Sequence, residues 1–282
     1  MDYANPQSLV TTDWLANHIS APDVRVVDAS WYLPAENRDP ATEYDEAHIP
    51  GAVRFDINDI SDTDSDLPHM MPSPEKFSSR MRKLGIGDGN RVVVYDGGSM
   101  LAAARAWWML RTFGHDDVAI LDGGFNKWKA EGRALEDLPP TPRERHFTAR
   151  LNSTMIRYVD QMLANIDSKK EQVVDARAQA RFDGVAPEPR EGMRSGHIPG
   201  SVCVPYIEVI DDDKTMLPAT DIKQAFASAG LDMKKPIVAT CGSGVSASLL
   251  VFALHLVGQR QNAVYDGSWS EWGGRDDLPI EP

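Results

Sequence analysis

The chain is poor in cysteine, with two among 282 residues. Two cannot make a disulfide scaffold, and a reducing cytoplasm is the expected setting. No apolar run reaches the ~18 residues that a membrane helix needs, so no membrane partner is expected. The opening MDYANPQSLV lacks a basic stretch followed by an apolar core, the mark of a secretory signal. Positive charge is scarce too: 29 Lys and Arg against 42 Asp and Glu leave a net charge of −13. Such a balance disfavours nucleic acid as a partner, although a local basic pocket for a small anion is compatible with it. There is no HExxH, no paired-cysteine pattern, no Asp-rich calcium loop, and no GxGxxG or GxxxxGKS/T string. Neither a metal nor a nucleotide cofactor is therefore expected. What is present is an ordinary globular balance, 42% apolar and 25% charged, on a chain long enough for two domains.

The two domains read as one pattern written twice. DEAHIPGAVRF at Asp45–Phe55 returns as SGHIPGSVCVP at Ser195–Pro205, with His48 and His197 149 positions apart. VVDAS around Asp28 returns as VVDAR around Asp175, and LDGGFNKW around Asp122 as YDGSWSEW around Asp266. RVVVYDGG aligns with PIVATCGS and pairs Asp96 with Cys241. These landmarks keep their order at offsets of 144 to 149, which argues for duplication. In each copy short β-branched runs alternate with longer apolar stretches. The strand candidates are Val24–Val27, Val92–Tyr95, Val118–Leu121, Gln172–Asp175, Pro236–Thr240 and Ala263–Asp266. The helix candidates are Leu101–Phe113 and Ser246–Val257, the second closed by Gly258. The expected fold is α/β: two tandem domains, each a mostly parallel sheet flanked by helices. Residues 1–138 form the first domain, the proline-rich 139–150 the linker, and 151–282 the second domain. The long irregular loop Ser61–Pro74 reads as functional.

The chemistry concentrates at Cys241. A buried-type strand runs into CGSGVSAS and then into an apolar helix. A Gly-rich turn at that junction points consecutive backbone N–H groups, backed by the helix dipole, at one place. A cysteine opening the turn would have its thiolate stabilised, and Gly242 and Gly244 would allow the backbone the loop needs. On the local pattern alone Cys241 suits either a nucleophile or a buried core cysteine. Cys203 reads as core.

HIPGA and HIPGS, LDGG with its following Trp, YDGSW, CGSGVSA and the string DARAQARFDGVAPEPREGMRSGHIPG together resemble the two-domain rhodanese-type sulfurtransferases over essentially the whole chain. Within that family the similarity is to the branch that uses 3-mercaptopyruvate. The resemblance implies one active site per chain, on Cys241, with Asp96 at the emptied position of the first half. Thiosulfate-preferring relatives put basic residues directly after the cysteine, whereas Gly242 and Ser243 are neutral here. It further implies that Arg181 and Arg190 bind the substrate carboxylate and keto oxygen. Gly242, Gly244, Val245 and Ser246 line the loop, Ser246 standing where Thr is commoner.

The implied reaction is attack of the Cys241 thiolate on the donor sulfur, release of pyruvate, and transfer of the persulfide sulfur to thioredoxin, a small thiol or cyanide. Ser243 and His69 would relay the proton, His69 with a pKa near the free value of about 6.5. The acidic residue expected to orient that histidine is replaced by Asn58, so Asp59 or Asp62 substitutes or the relay matters less. A metal-free, cofactor-free cytoplasmic monomer is expected. Thiosulfate as donor, or a non-enzymatic sulfur-carrier or binding module, are the rival readings. A phosphatase is disfavoured because position 247 is Ala and no Arg follows Cys241 before Arg260. His48, His197 and Arg194 read as structural, Asp122 and Asp266 as turn residues, and Trp107, Trp108 and Trp128 as core. Asp175 is a candidate to bond the active loop from beneath, and Trp31 and Tyr32 are candidates to line the cleft.

Overall fold

The computed structural model describes residues 2–282. The first sheet is built from β1 (Leu9–Val10), β2 (Val24–Asp28), β3 (Val53–Arg54), β4 (Arg91–Tyr95) and β5 (Val118–Leu121). The second is built from β6 (Ile156–Arg157), β7 (Gln172–Asp175), β8 (Val202–Cys203), β9 (Ile237–Thr240) and β10 (Asn262–Tyr265). The spatial orders are β1-β5-β4-β2-β3 and β6-β10-β9-β7-β8, the same permutation twice. Every pairing is parallel. Helices cover both faces, so the middle strands are buried on both sides and are continuous apolar runs, as in VVVY and IVAT. The expected strands recur within a residue or two. The two-residue edge strands β1, β3, β6 and β8 lack the length to be read as strands from sequence.

The two halves share a core. Helices Leu101–Thr112 and Val245–Leu256 occupy equivalent places and pack on each other. Both are apolar almost all round, the signature of a helix buried on every side. Trp107 meets Phe252 edge-on at 4.9 Å between ring centres. One apolar cluster therefore runs from Val27 and Phe77 through Trp107 and Phe252 to Phe226 and Ile237, and each sheet's outer face carries a smaller cluster of its own. Residues 139–152 carry no helix or strand, but they are pinned to the first half. Phe147 is buried and its carbonyl accepts from Ser78 Oγ at 2.7 Å, while Asp88 accepts from the Thr148 amide at 2.7 Å. The N-terminal segment crosses to the second half: Ala4 N–H donates to Leu256 O at 2.8 Å and Tyr3 Oη to Leu217 O at 2.7 Å. No helix among the described residues is long and apolar enough to cross a membrane.

Candidate active site

Cys241 follows β9, the middle strand of its sheet, at the carboxyl edge where loops of parallel sheets gather functional groups. Cys241, Gly242, Ser243 and Gly244 make the turn, and the helix starts at Val245. The first N–H groups of a helix have no helical partner, so they face the turn with free donors. The turn is braced from behind. Trp269 N–H donates to Cys241 O at 2.9 Å, Ser270 N–H and Oγ both donate to Gly242 O at 2.9 and 2.6 Å, and Cys241 N–H donates to Ser268 Oγ at 3.3 Å. Gly244 holds φ +77°, and a Cβ there would lie 2.7 Å from Arg105 Nη1. Gly242 keeps an ordinary φ. The special backbone anticipated at both glycines is needed only at Gly244, and the absent side chain of Gly242 leaves room for cations. A Cβ on it would sit 3.5 Å from Arg190 Nη1 and 3.7 Å from Arg181 Nη2.

The first half shows what such a turn does with an anion. Asp96 follows the middle strand β4, and its carboxylate accepts the backbone N–H of Gly98 at 2.9 Å, Met100 at 3.1 Å and Ala103 at 3.0 Å. The donors that the equivalent turn offers near Cys241 are there consumed by a side chain of the turn itself. Tyr32 and Arg38 close over that turn, with Arg38 Nη1 donating to Gly97 O at 3.1 Å and pairing with Glu43 at 2.5 Å. This is where Tyr32 lies, at the turn of its own half.

The two arginines beside Gly242 differ in their commitments. Arg181 pairs with Glu188, whose nearly buried carboxylate also takes Arg177 Nη1 at 2.7 Å. Arg190 pairs with no carboxylate among the described residues. Its pKa is lowered by burial and by Arg181, against the opposing pull of Cys241 and Glu188. Arg190 is thus the unneutralised cation nearest the cysteine.

His69 is brought across from the first half. Its Nδ1 lies 3.0 Å from Ser243 Oγ, and both side chains are buried. Trp31 meets its ring edge-on at 5.0 Å. Burial, and then the positive charges of Arg105 and Arg190, push the imidazole down to about 3, so it is neutral in ordinary buffers. This corrects the expectation of a value near 6.5. No carboxylate pairs with it among the described residues. Asp59 binds Arg80 at 2.6 Å, Asp62 accepts from the Asp64 amide at 3.1 Å, and Asn58 is exposed. The missing acidic partner and the low pKa describe one environment, a buried pocket beside two cations that favours neutral imidazole.

Arg105 carried no weight in the sequence, yet it locks this assembly. It is fully buried, with its guanidinium over Trp108, and donates to His69 O at 2.6 Å and Asp266 Oδ1 at 2.7 Å. One arginine thus fixes the loop bearing His69 against the turn bearing Ser243. The available signal was a lone charge inside LAAARAWWML, since an arginine on a buried face needs partners. Glu188 was missed in the same way.

Two further readings need correction. Asp266 and Asp122 are bonds between the halves rather than simple turn residues: Asp266 Oδ2 accepts the Met71 N–H at 2.7 Å and Asp122 Oδ1 accepts the Met216 N–H at 2.9 Å. Asp175 pairs with Arg177 at 2.7 Å instead of bonding the active turn. Arg194 holds backbone carbonyls of Gly273, Trp272, Arg275 and Leu278. His48 and His197 each bond a backbone carbonyl, of Tyr44 at 2.7 Å and Phe182 at 2.9 Å. Cys203 is half-buried, and burial and Asp175 push its thiol up to about 12. Val245 is buried and Ser246 partly exposed in the first turn of the helix.

A doubled parallel fold with a cysteine turn beyond one middle strand and an aspartate turn beyond the other defines a class. The chain belongs to the rhodanese family: the Rhodanese-like domain matches residues 11–131 and 158–275. Within that family it is similar to proteins named 3-mercaptopyruvate sulfurtransferase. It is 44% identical to the 3-mercaptopyruvate sulfurtransferase of Escherichia coli K12, covering 97% of each chain. It is 42% identical to the mitochondrial thiosulfate/3-mercaptopyruvate sulfurtransferase 1 of Arabidopsis thaliana, covering 98% of this chain and 78% of that one. The crystal structure of SseA from Escherichia coli, a 3-mercaptopyruvate sulfotransferase of the rhodanese fold, superposes with a TM-score of 0.85 at 39% identity. That match covers 93% of this chain and 98% of SseA.

Proposed function

We propose that the enzyme moves sulfur from 3-mercaptopyruvate to a thiol through a persulfide on Cys241 and releases pyruvate. The observation that carries the choice of donor is the charge beside the turn. Gly242, Ser243 and Gly244 are neutral, Arg181 is paired with Glu188, and Arg190 pairs with no carboxylate among the described residues. One uncompensated cation suits a substrate with one carboxylate better than a dianion such as thiosulfate. The name of the Arabidopsis relative includes both donors, so overall similarity does not separate them and local charge must.

In the first step the Cys241 thiolate attacks the sulfur of 3-mercaptopyruvate. The sulfur–sulfur bond forms as the carbon–sulfur bond breaks, and the electron pair leaves on the enolate of pyruvate. The thiol proton of the substrate ends on that carbon, so pyruvate and a cysteine persulfide anion are the products. Ser243 and neutral His69 carry the proton between the two positions, with Ser243 Oγ and Nδ1 already 3.0 Å apart. The backbone donors of the turn, whose counterparts hold Asp96, receive the persulfide anion. In the second step the thiolate of a small thiol or of thioredoxin, or cyanide in the test tube, takes the outer sulfur and restores Cys241. Arg181 and Arg190 hold the carboxylate and keto oxygen, and Gly242, Gly244, Val245 and Ser246 shape the floor.

The enzyme works as a monomer, because each half already covers the other's apolar face. Its two unpaired cysteines suit the reducing cytoplasm. The test is a paired rate assay on the wild type and Cys241→Ser: pyruvate from 3-mercaptopyruvate against thiocyanate from thiosulfate plus cyanide. The expected result is a large advantage in kcat/KM for mercaptopyruvate and an inactive variant. A preference for thiosulfate overturns the charge argument. Activity surviving in Cys241→Ser overturns the persulfide.

A further inference from the structure

At the edge of the second sheet opposite Cys241 lies a cavity of about 620 Å³ between the halves. Its walls come from the carboxyl ends of the two packed helices, through Trp107, Arg111 and His255, and from the strand starts at Pro236 and Asn262. The N-terminal segment closes one side with Asn5. It shares no residue with the cysteine site. The intervening helices, of 12 residues each, put it roughly 18 Å away along their axes.

Three arginines reach this cavity in a chain of net charge −13. They are not equivalent. Arg157 is spent on the protein: it forms a two-armed pair with Glu171 at 2.8 and 2.6 Å and bonds two backbone carbonyls. Arg111 has one loose partner, the well-exposed Asp116 at 3.4 Å, and its pKa is lowered by burial. Arg260 pairs with no carboxylate among the described residues. His255 bonds Ser8 Oγ at 3.0 Å and is pushed down to about 4 by burial and by Arg111, so it adds no charge at neutral pH. The cavity thus offers one unpaired and one loosely paired guanidinium group in a volume typical of small-molecule sites.

We propose that this cavity is a binding site for a small organic dianion, a phosphate monoester or a dicarboxylate, gripped by Arg111 and Arg260 with its organic part along Pro236. Two guanidinium groups match two negative charges. The volume exceeds what an inorganic ion fills, which is why the ligand has a body as well as a charge. Because the walls come from both halves, the ligand would bridge them.

The test uses the full chain. The cysteine site also has arginines for anions, so the titrations are made on Arg190→Gln, with and without Arg260→Gln. Inorganic phosphate and succinate are the two probes, added separately at constant ionic strength and followed by calorimetry. They distinguish the phosphate from the dicarboxylate class. Arg260 is exposed and its loss leaves the core intact, so it is the decisive position. One of the probes is expected to bind Arg190→Gln, and Arg260→Gln to weaken that binding by about tenfold, the loss of one charged hydrogen-bonding arm. Lys223→Gln, an exposed cation elsewhere, is expected to leave it unchanged. The proposal is overturned if neither probe binds at millimolar concentration. It is equally overturned if Arg260→Gln binds as the parent does, or if Lys223→Gln weakens binding as much.

Discussion

Asp122 and Asp266 are copies of one another, and each reaches across the molecule to the backbone of the other half. Asp122 accepts the Met216 N–H at 2.9 Å and Asp266 the Met71 N–H at 2.7 Å. The two methionines are themselves 145 positions apart, so the exchange follows the duplication. Asp266 has acquired a further task, its ion pair with Arg105, in which both side chains are fully buried.

That asymmetry sets the first prediction. Asp266→Asn strands a buried guanidinium, which costs about 3–5 kcal/mol. Asp122→Asn keeps an oxygen that can accept from Met216 and costs about 1 kcal/mol. Urea unfolding of both variants measures the difference. Equal losses would show that the Arg105 pair adds nothing to the interface. Asp266→Asn is also expected to lower kcat, since Arg105 then no longer fixes the His69 carbonyl.

His69 is predicted to stay neutral through the working range of the enzyme. With a folded value of about 3 and an unfolded value near 6.5, its protonation favours the unfolded chain. Its contribution to stability therefore falls as pH drops from about 6.5 toward 3. Titration of the ring by NMR is expected to show no midpoint above pH 5, and to show an upward move in Arg190→Gln, where one repelling charge is gone. A midpoint near 6.5 in the wild type would contradict the effect of burial and the two arginines on this ring.

Glu188 holds Arg181 and leaves Arg190 as the free cation. Glu188→Gln removes one negative charge from beside the turn. KM for thiosulfate is then expected to fall several-fold, and selectivity for 3-mercaptopyruvate to shrink with it. The readout is the ratio of kcat/KM for the two donors. A ratio that stays constant would mean that Glu188 serves only the Arg177 network beneath.

Gly244 and Gly51 separate backbone strain from crowding. Both have positive φ, +77° and +72°, but a Cβ at Gly51 meets nothing within 4 Å while one at Gly244 meets Arg105 at 2.7 Å. Gly51→Ala is expected to cost about 1 kcal/mol and Gly244→Ala clearly more, with a loss of activity. Thermal melts and the pyruvate assay check both.

The middle strands, the helices that follow them and the cysteine turn were legible because their signals are local. VVVY and IVAT are continuous apolar runs, and CGSG lies between a strand and a helix. The duplication alone shows the symmetry of the fold. What stayed hidden depends on contacts between distant parts of the chain. Arg105 meets Asp266 161 positions away, and Met71 meets it 195 positions away. No local pattern tells an aspartate that caps its own turn from one that reaches the other domain. The His69 environment was hidden for the same reason, since burial and Arg190 together set its charge. Glu188 lay in plain view within EPR, but its partners Arg177 and Arg181 become visible only once the loop folds back.

The Asp96 turn has a consequence for how the halves divide their labour. Its backbone nest is filled for good by a carboxylate the chain itself supplies, so its shape is independent of any visiting molecule. The corresponding nest at Cys241 is filled and emptied at every turnover of the proposed reaction. The first half therefore presents His69 and Arg105 from a body whose own anion nest is already occupied. The second half can cycle between loaded and unloaded against that fixed reference without losing the alignment of Ser243 with His69.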